Sequence, residues 1–242
     1  MAKIRISIIT ATYNAEMFLP RLIASLRAQT DRDFEWIVID GKSKDATAHL
    51  LTGADDIVSH YESAADFGIY DALNKGIRTA SGDYYLVLGA DDVLSPDAIT
   101  NYRAALSDDA YIPDVVTAPV RVGQRMLTAR PGQGWLYGIR GHVSAHSIGT
   151  LIRRALHQQH GYYSRKFPIA ADHLFISTVA RAGVRIKYCD FIAGEFGTEG
   201  VSSEDTLGVI SEAFRVQLLT GYAKLPQLLL YCLRLLNNYS QL

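Results

Sequence analysis

Two adjacent carboxylates, Asp91 and Asp92, end the stretch YYLVLGADD, whose other residues are mostly apolar and β-forming. Two like charges held side by side repel each other unless a cation or several hydrogen-bond donors lie between them. Hard divalent cations such as Mg²⁺ and Mn²⁺ bind carboxylate oxygens together with phosphate oxygens. The pair therefore predicts a Mg²⁺ or Mn²⁺ site that bridges the protein to a diphosphate.

A mostly parallel sheet is the element predicted to position this pair. Continuous β-branched and apolar runs at 4–14, 34–40 and 56–61 precede it, and they alternate with segments of helical periodicity. Asn14 stands where it would cap the first of these helices. Strands and helices that alternate in this way form βαβ units with right-handed crossovers, so the first half of the chain is predicted to be α/β.

The second half of the chain predicts less regular elements. A strand and a small antiparallel hairpin that turns near Gly123 are expected within 114–132. The glycine-rich segment 132–147 is expected to be a loop, and a later helix is expected to end at Gly183.

The C-terminal part predicts a helical appendage of two helices. No clean linker interrupts the sequence. We expect one α/β domain at 1–203, followed by a helical extension at 204–242. The leucine-rich run KLPQLLLYCLRLLNNY at 224–239 is typical of a helix that packs on its own domain or on a second subunit. Association with a membrane surface is the alternative for such a helix.

Three polar clusters are expected to meet at one edge of the sheet. They are TATYN after the first strand, DGKSKD after the second and GADD after the fourth. In an open α/β sheet the ligand crevice lies beyond the carboxyl ends of the strands. A nucleotide suits such a crevice, with its base and ribose against the first two clusters and its phosphates near the third.

Four motifs in this order resemble the family 2 glycosyltransferases of GT-A fold: ISIITATYNA, VIDGKSKDAT, DFGIYDALNKGIRTASGDYYLVLGADD and AADHLF. The resemblance covers roughly residues 4–203 and is strongest to the small bacterial enzymes that build surface polysaccharides. It implies a Rossmann-like sheet and an inverting transfer of one sugar from a UDP- or GDP-sugar. The implied acceptor is a saccharide or a lipid-linked molecule, and the implied cofactor is Mg²⁺ or Mn²⁺.

The resemblance also implies roles for individual residues. By position, Asp172 is the catalytic base, and Asp92 is the metal carboxylate and the second catalytic residue. The residues implied to contact the nucleotide-sugar are Thr12, Tyr13, Asp40, Asp66, Asn74, Asp91 and His146.

Three departures from the family pattern bear on these expectations. Gly89 stands where relatives usually have Asp or Asn, so the acidic motif keeps only its last two carboxylates. Gly41 replaces a second Asp that many relatives carry after the second strand, and this leaves the identity of the donor base open. No QxxRW sequence follows Asp172, although processive synthases usually carry one, so addition of a single sugar is expected.

Each of these residues also has an ordinary structural explanation. Asp91 and Asp92 fit a turn before a capped helix, and Asp172 fits the acidic position that a helix start favours. The remaining candidates fit surface, helix-polar or satisfied buried positions: Asp66, Asn74 and His146.

Two other functions remain open at this point. A sugar-phosphate nucleotidyltransferase would share the nucleotide crevice, although TATYNAE lacks the glycine-rich basic loop expected after its first strand. A non-catalytic carbohydrate-binding protein on the same fold is the second, and the carboxylates at 91, 92 and 172 count against it.

Composition narrows the partners and the compartment. A net charge of -1, from 24 basic and 25 acidic residues, argues against binding nucleic acid by bulk electrostatics. Cys189 and Cys232 form neither a disulfide framework nor a zinc pattern, and the N-terminal apolar run is too short for a signal peptide or a membrane span. These features favour a cytoplasmic protein, with the inner face of the membrane as the alternative.

Overall fold

The computed structural model describes residues 4–107, 112–197 and 205–239. Its strands are Ile6–Thr12 (β1), Phe34–Asp40 (β2), Val58–Ser63 (β3), Tyr84–Val87 (β4), Val93–Leu94 (β5), Val115–Thr117 (β6), Val120–Val122 (β7), Arg125–Leu127 (β8), Thr150–Arg153 (β9), Ile186–Tyr188 (β10) and Gly194–Glu195 (β11). Its α-helices are Leu19–Arg27 (α1), Thr47–Thr52 (α2), Ile69–Thr79 (α3), Ala98–Ser107 (α4), Gly134–Tyr137 (α5), Leu156–His160 (α6), Ala171–Arg181 (α7), Thr206–Leu219 (α8) and Lys224–Asn237 (α9).

Seven strands form the central sheet in the order β10-β6-β9-β4-β1-β2-β3. Strand β9 runs antiparallel to its neighbours β4 and β6, and the other neighbouring pairs are parallel. The predicted α/β class with a mostly parallel sheet is therefore confirmed. The β-branched run of β1 is buried along most of its length because helices cover both faces of the sheet.

A second, four-stranded sheet has the order β5-β11-β7-β8. Strands β7 and β8 form the predicted antiparallel hairpin, whose turn contains Gly123 at a φ of 55°. Strand β11 pairs with β5, directly after the two carboxylates at the end of β4. This pairing brings residues 194–197 to the acidic motif.

Alternate side chains of the central strands supply two cores, one on each face of the sheet. Tyr84 lies in the core beneath α1, α2 and α4, whereas its neighbour Tyr85 lies in the core beneath α3, α6 and α7. Val216 of α8 belongs to the second core and is fully buried. Helix α8 thus packs against the α/β body, and the division at residue 203 stays a prediction.

Two local expectations were wrong. Asn14 does not cap α1, which begins at Leu19 with Phe18 at its N-cap position. Asn14 instead has a φ of 47°, and its Oδ1 accepts a hydrogen bond from the Lys44 amide at 2.9 Å. The expected loop at 132–147 contains α5 and a 3₁₀ turn at 138–141.

Helix α9 contacts the body through polar side chains and leaves a row of leucines exposed. The Gln227 amide donates to the Trp135 carbonyl at 2.7 Å, and the Arg234 guanidinium donates to the Leu136 carbonyl at 2.6 Å. The exposed leucines, which we call the α9 apolar face, are Leu225, Leu228, Leu229, Leu233 and Leu236. Among the described residues, no helix has both the length and the apolar character that crossing a bilayer requires.

Candidate active site

The carboxyl ends of β1, β2 and β4 open onto a crevice made of two adjoining cavities. The first, the Tyr13 cavity, measures about 530 Å³ and has Tyr13, Gly41 and Asp66 in its wall. The second, the Asp172 cavity, measures about 360 Å³ and has Asp172 in its wall. Asp91 lies in the walls of both. The polar clusters that follow the strands therefore do converge on one edge of the sheet.

Tyr13 provides an exposed aromatic surface in its cavity. The residue is 62% exposed, and a ring held in this way offers a face for stacking with a flat heterocycle. A β-carbon at Gly41 would lie 3.4 Å from Tyr13 Cδ2 and 3.0 Å from Asp66 Oδ2. The glycine at position 41 therefore keeps open the space between Tyr13 and Asp66.

Asp40 is fully buried at the end of β2 and holds the neighbouring loops together. Its carboxylate accepts hydrogen bonds from Thr12 Oγ1 at 3.1 Å, from the Ser43 amide at 2.9 Å and from Ser63 Oγ at 2.6 Å. Burial alone would raise the pKa of Asp40, but these hydrogen bonds lower it below its ordinary value. Thr12 lines the Tyr13 cavity, whereas Asp40 is fully buried and is not one of the described residues that line it.

Asp66 and Asn74, both predicted donor contacts, occupy different environments. Asp66 lies in the wall of the Tyr13 cavity and accepts a hydrogen bond from the Gly68 amide at 2.9 Å. Asn74 is buried, and its amide makes two hydrogen bonds, of 2.9 and 3.0 Å, with the backbone of Tyr163. Asn74 therefore orders the segment around Tyr163, and a direct contact with a donor stays a prediction that this geometry does not favour.

The two carboxylates of the acidic motif differ sharply in environment. Asp92 is 1% exposed, and its oxygens accept hydrogen bonds from Ser147 Oγ at 2.5 Å, the Gly89 amide at 2.7 Å and the Gly197 amide at 2.8 Å. Burial raises the pKa of Asp92 to about 6 despite these donors. Asp91 is half-buried and lies at the junction of the two cavities.

Glycines on two sides leave room for the Asp91 carboxylate. A β-carbon at Gly89 would lie 2.7 Å from Asp91 Oδ1, and one at Gly197 would collide with Oδ2. Side chains at positions 89 and 197 would therefore displace this carboxylate. The Gly89 that replaces the expected Asp or Asn thus has a steric reason.

The acidic motif suits a cation that a ligand helps to bind. Among the described residues, no three His, Cys, Asp or Glu side chains are close enough together to hold a metal ion. Mg²⁺ is typically bound through one or two carboxylates, with water and substrate phosphate oxygens completing its shell. One carboxylate at the open junction, Asp91, beside a buried second one fits that pattern.

Asp172 lies in the first turn of α7 and lines the Asp172 cavity together with Asp91 and Asp92. Its Oδ1 accepts a hydrogen bond from the Tyr70 hydroxyl at 2.7 Å, and its Oδ2 lies 3.8 Å from His146 Nδ1. The Ile169 carbonyl oxygen also lies 2.7 Å from the Tyr70 hydroxyl and is a second acceptor for its one hydrogen. Burial and the charge of Asp172 raise the pKa of Tyr70 well above its usual value, so this phenol remains a hydrogen-bond donor. The side chain of Asp172 is 20% exposed and accessible from the cavity.

Glu212 supports the start of α7 from the C-terminal part of the chain. Its Oε2 accepts hydrogen bonds from the Ile169 amide at 3.1 Å and the Ala170 amide at 2.8 Å. A carboxylate satisfies unpaired amides at a helix start and interacts favourably with the helix dipole. The sequence analysis missed this residue because nothing local connects α8 with the start of α7.

Arg140 is a second residue that the sequence analysis missed. It lies in the wall of the Asp172 cavity, and its buried Nε has no hydrogen-bond partner within the described ranges. Burial lowers the pKa of Arg140, and nearby Arg130 adds to this effect. Arg140 lies within the 3₁₀ turn at 138–141, in the segment expected to be a loop, and no sequence signal distinguished it.

Comparisons with known proteins agree with this arrangement. The family model described as Glycosyl transferase family 2 matches residues 7–187. An uncharacterized glycosyltransferase of Mycobacterium tuberculosis is 31% identical over 221 residues, which cover 82% of this chain and 77% of that protein. The PGL/p-HBAD biosynthesis glycosyltransferase of Mycobacterium bovis is 37% identical over 99 residues, which cover 39% of this chain and 38% of that protein.

Two solved structures share the fold. S. aureus TarS 1–349 in complex with UDP-GlcNAc superposes with a TM-score of 0.67 at 19% identity, covering 98% of this chain and 73% of that one. The mannosyltransferase PcManGT from Pyrobaculum calidifontis, in complex with GDP-Man and Mn²⁺, gives a TM-score of 0.70 at 15% identity. The superposition covers 99% of this chain and 76% of that one. At these identities the likeness concerns the fold alone.

Proposed function

The chain belongs to glycosyl transferase family 2 and is a glycosyltransferase, and from this premise we propose that it transfers one sugar from a nucleotide-sugar to an acceptor hydroxyl with inversion of configuration. The position of Asp91 is the observation that carries the proposal. It lies between an exposed aromatic ring, Tyr13, in one cavity and a candidate base, Asp172, in the other. A donor that spans the junction would have its base near Tyr13, its diphosphate near Asp91 and its sugar on the side of Asp172.

The nucleotide part of the donor is assigned to the Tyr13 cavity. Tyr13 offers a stacking surface, Asp66 lies opposite, and Thr12 and Asp40 fix the loops that carry them. The similar folds that bind UDP-GlcNAc and GDP-Man support a UDP- or GDP-sugar as the donor. The space that Gly41 leaves open affects which nucleobase the Tyr13 cavity can accept.

Asp91 is the better candidate for the metal-binding carboxylate, and Asp92 for the residue that orders the motif. The three hydrogen bonds to Asp92 would have to be rearranged before its oxygens could bind a cation directly. Asp91 lies at the junction where the diphosphate is proposed to bind. A Mg²⁺ or Mn²⁺ ion held there would neutralise the charge that develops on the leaving diphosphate.

Asp172 is the proposed general base. It removes the proton of the acceptor hydroxyl, and the acceptor oxygen then attacks the anomeric carbon opposite the leaving diphosphate. The bond between the anomeric carbon and the diphosphate breaks, and its electron pair leaves with the diphosphate. A single displacement of this kind inverts the anomeric configuration. Tyr70 keeps the carboxylate oriented by donating to Oδ1.

The acceptor is proposed to be a saccharide or a lipid-linked molecule of a cell-surface polysaccharide pathway. The α9 apolar face supports association of the chain with the inner face of the membrane, where a lipid-linked acceptor would lie, or with a second copy of the chain. Five exposed leucines on one helix form an apolar surface larger than singly scattered residues would give.

A donor screen followed by product analysis tests the proposed function. Thermal shifts would be measured with UDP-GlcNAc, UDP-glucose, GDP-mannose and free UDP and GDP, each with and without Mn²⁺. We expect one base to stabilise the protein, and to do so more strongly with Mn²⁺, because ligands that bind only the folded state raise the unfolding temperature.

The stereochemistry of the product completes the test. The stabilising nucleotide-sugar would be incubated with a panel of saccharide and polyprenyl-phosphate-linked acceptors, and the anomeric proton of the product would be observed by NMR. We expect inversion relative to the donor. Retention of configuration would exclude the direct displacement.

A further inference from the structure

A chain of buried imidazoles and phenols leads away from Asp172 into the core. Its links measure 2.9 Å from Gly161 O to His157 Nδ1, 2.7 Å from His157 Nε2 to the Tyr85 hydroxyl, 2.7 Å from Tyr85 to the Tyr163 hydroxyl and 2.6 Å from Tyr163 to His146 Nε2. We call these five residues the imidazole-phenol chain. Its four side chains are at most 9% exposed, so the chain itself supplies their hydrogen-bond partners.

The far end of the chain fixes the direction of the hydrogen bonds. The Gly161 carbonyl can only accept a hydrogen bond, so His157 Nδ1 must carry the hydrogen. Burial lowers the pKa of His157 to about 4, so the ring is neutral near pH 7 and its Nε2 is an acceptor. The Tyr85 hydroxyl therefore donates to His157.

The remaining hydrogen bonds of the chain have the same direction. Because the hydrogen of Tyr85 points to His157, the Tyr163 hydroxyl must donate to the Tyr85 oxygen. The Tyr163 oxygen then accepts the hydrogen on His146 Nε2. Burial lowers the pKa of His146 although Asp172 opposes the shift, so this ring is also neutral. A neutral ring with its hydrogen on Nε2 has a bare Nδ1.

The bare Nδ1 of His146 faces Oδ2 of Asp172 at 3.8 Å. That distance exceeds a hydrogen bond, as expected when a nitrogen lone pair faces an ionised carboxylate. A proton on Asp172 would supply the missing hydrogen. The opposite tautomer of His146 would instead donate to the ionised carboxylate and stabilise it before the reaction.

We propose that the imidazole-phenol chain holds His146 in its Nε2–H tautomer, so that Nδ1 accepts a hydrogen bond from Asp172 once Asp172 has taken the acceptor's proton. The inference rests on the proposed role of Asp172 as base. During the step the O–H bond of the acceptor breaks and its hydrogen moves to Asp172, while the oxygen's electron pair forms the new glycosidic bond. His146 acts through Asp172, and Tyr163, Tyr85 and His157 act through His146, so all four are positioning residues.

The tautomer of His146 is directly measurable in the protein without substrate. Two-bond ¹⁵N–¹H correlation spectra distinguish the two neutral tautomers, and a His146→Gln variant assigns the signal. We expect the Nε2–H form in the parent protein. In Tyr85→Phe the Tyr163 hydroxyl loses its acceptor and is free to donate to His146 Nε2, so the signal should move toward the Nδ1–H form.

Tyr84→Phe is the matched control, because Tyr84 is the adjacent residue of β4 and equally buried but lies in the opposite core. Its hydroxyl donates to the Pro113 carbonyl at 2.5 Å, outside the chain. The control should keep the Nε2–H signal. Tyr163→Phe gives a second, independent break, which covers the case in which Tyr85→Phe does not fold.

Kinetics provide the functional readout. With the donor found in the screen, or with UDP-GlcNAc and GDP-mannose hydrolysis, we expect Tyr85→Phe to lower kcat about tenfold at unchanged KM, the value of one hydrogen bond formed after proton transfer. An Nδ1–H tautomer in the parent, or an Nε2–H tautomer retained in both Tyr85→Phe and Tyr163→Phe, would overturn the proposal. If another residue were the base, Asp172→Asn would keep the parental rate, and the tautomer of His146 would still change in Tyr85→Phe.

Discussion

The hydroxyl of Tyr70 lies 2.7 Å from Oδ1 of Asp172 and joins helix α3 to the first turn of helix α7. Helix α3 begins directly after Asp66 and Gly68, which line the Tyr13 cavity. The same helix therefore borders the proposed nucleotide site and orients the proposed base. Through this contact, the donor site and the base are held in a fixed relation although 102 residues separate Tyr70 from Asp172.

Replacing Tyr70 with Phe should slow catalysis without weakening donor binding. The variant keeps the ring but removes the donor that orients Oδ1, so we expect kcat to fall about tenfold, in line with the loss of one hydrogen bond to a charged group. Steady-state kinetics with the screened donor would measure this. Tyr84→Phe serves as the control, and an equal fall in both variants would contradict a specific role for Tyr70.

Replacing Asp172 with Asn should remove the general base. A positioned base typically contributes a rate factor of about 10² to 10⁴, and we expect kcat to fall within that range while the Kd of the donor stays close to the parental value. Single-turnover kinetics and calorimetric titration of the donor separate the two quantities. Parental turnover in Asp172→Asn would place the base at another residue.

The paired variants Asp91→Asn and Asp92→Asn should have different effects. Asp91→Asn should abolish Mn²⁺-dependent nucleotide binding and lower the unfolding temperature less than Asp92→Asn does, because Asp91 is half-buried whereas Asp92 is fully buried. Asp92→Asn should lower the free energy of unfolding by about 1–3 kcal/mol, because an amide cannot accept all three hydrogen bonds that the buried carboxylate accepts. If thermal shift and metal titration showed the reverse pattern, Asp92 would be the metal-binding carboxylate.

His173 should make the protein less stable in acid. Burial lowers the pKa of His173 to about 4 from an ordinary value of 6.5. As the pH falls through this window, the unfolded chain binds a proton that the folded chain does not, so stability decreases, whereas above the window the contribution is constant. Between neutral pH and about pH 5 the loss from this residue is about 2 kcal/mol.

Urea unfolding of His173→Phe at neutral pH and at about pH 5 tests this expectation. The variant should lose less stability in acid than the parent, since its buried ring does not titrate. Removal of an Nε2 that has no hydrogen-bond partner among the described residues should not harm the protein at neutral pH. The matched variant His60→Phe changes an exposed histidine. An equal acid dependence in both variants would contradict the prediction.

The α9 apolar face should mediate association. Exchanging Leu229 and Leu236, which are 58% and 71% exposed, for Lys should abolish vesicle flotation or dimer formation, whichever the parent shows, and leave donor hydrolysis unchanged. Deleting α9 would be a poor test because Gln227 and Arg234 hydrogen-bond to the body. A monomeric parent that does not bind anionic vesicles would refute this role.

Local sequence pattern was sufficient to predict that Asp91 lies at the crevice, whereas Asp172, in the first turn of a helix, was assigned there by the family resemblance. The carboxyl ends of parallel strands share one edge of the sheet, so a polar cluster that follows a strand is predicted to lie at that edge. Pattern could not tell whether a polar side chain faces the cavity or another segment of backbone. Asn74 shows this, because its partner Tyr163 lies 89 residues away and occupies both ends of the amide.

The residues that sequence reasoning missed act through distant partners. Glu212 supports the start of α7 from a helix more than 40 positions later, and Asn14 connects two loops where a helix cap was expected. These contacts depend on tertiary packing, which overrides the local preference of a residue. The sequence named His146, but its hydrogen bond to Tyr163 and its position beside Asp172 depend on the fold.

The amide of Gly197 that donates to Asp92 is 105 residues away in the chain. During synthesis, strands β1 to β4 leave the ribosome long before β11, and Ser147 is also 55 residues away from Asp92 in the chain. The first strands would therefore pair while Asp92 lacks two of its three donors. Contacts of such long sequence separation form late because closing a long loop costs entropy. The acidic motif would therefore acquire its final geometry near the end of folding, and the proposed diphosphate site would form only when the whole body has assembled.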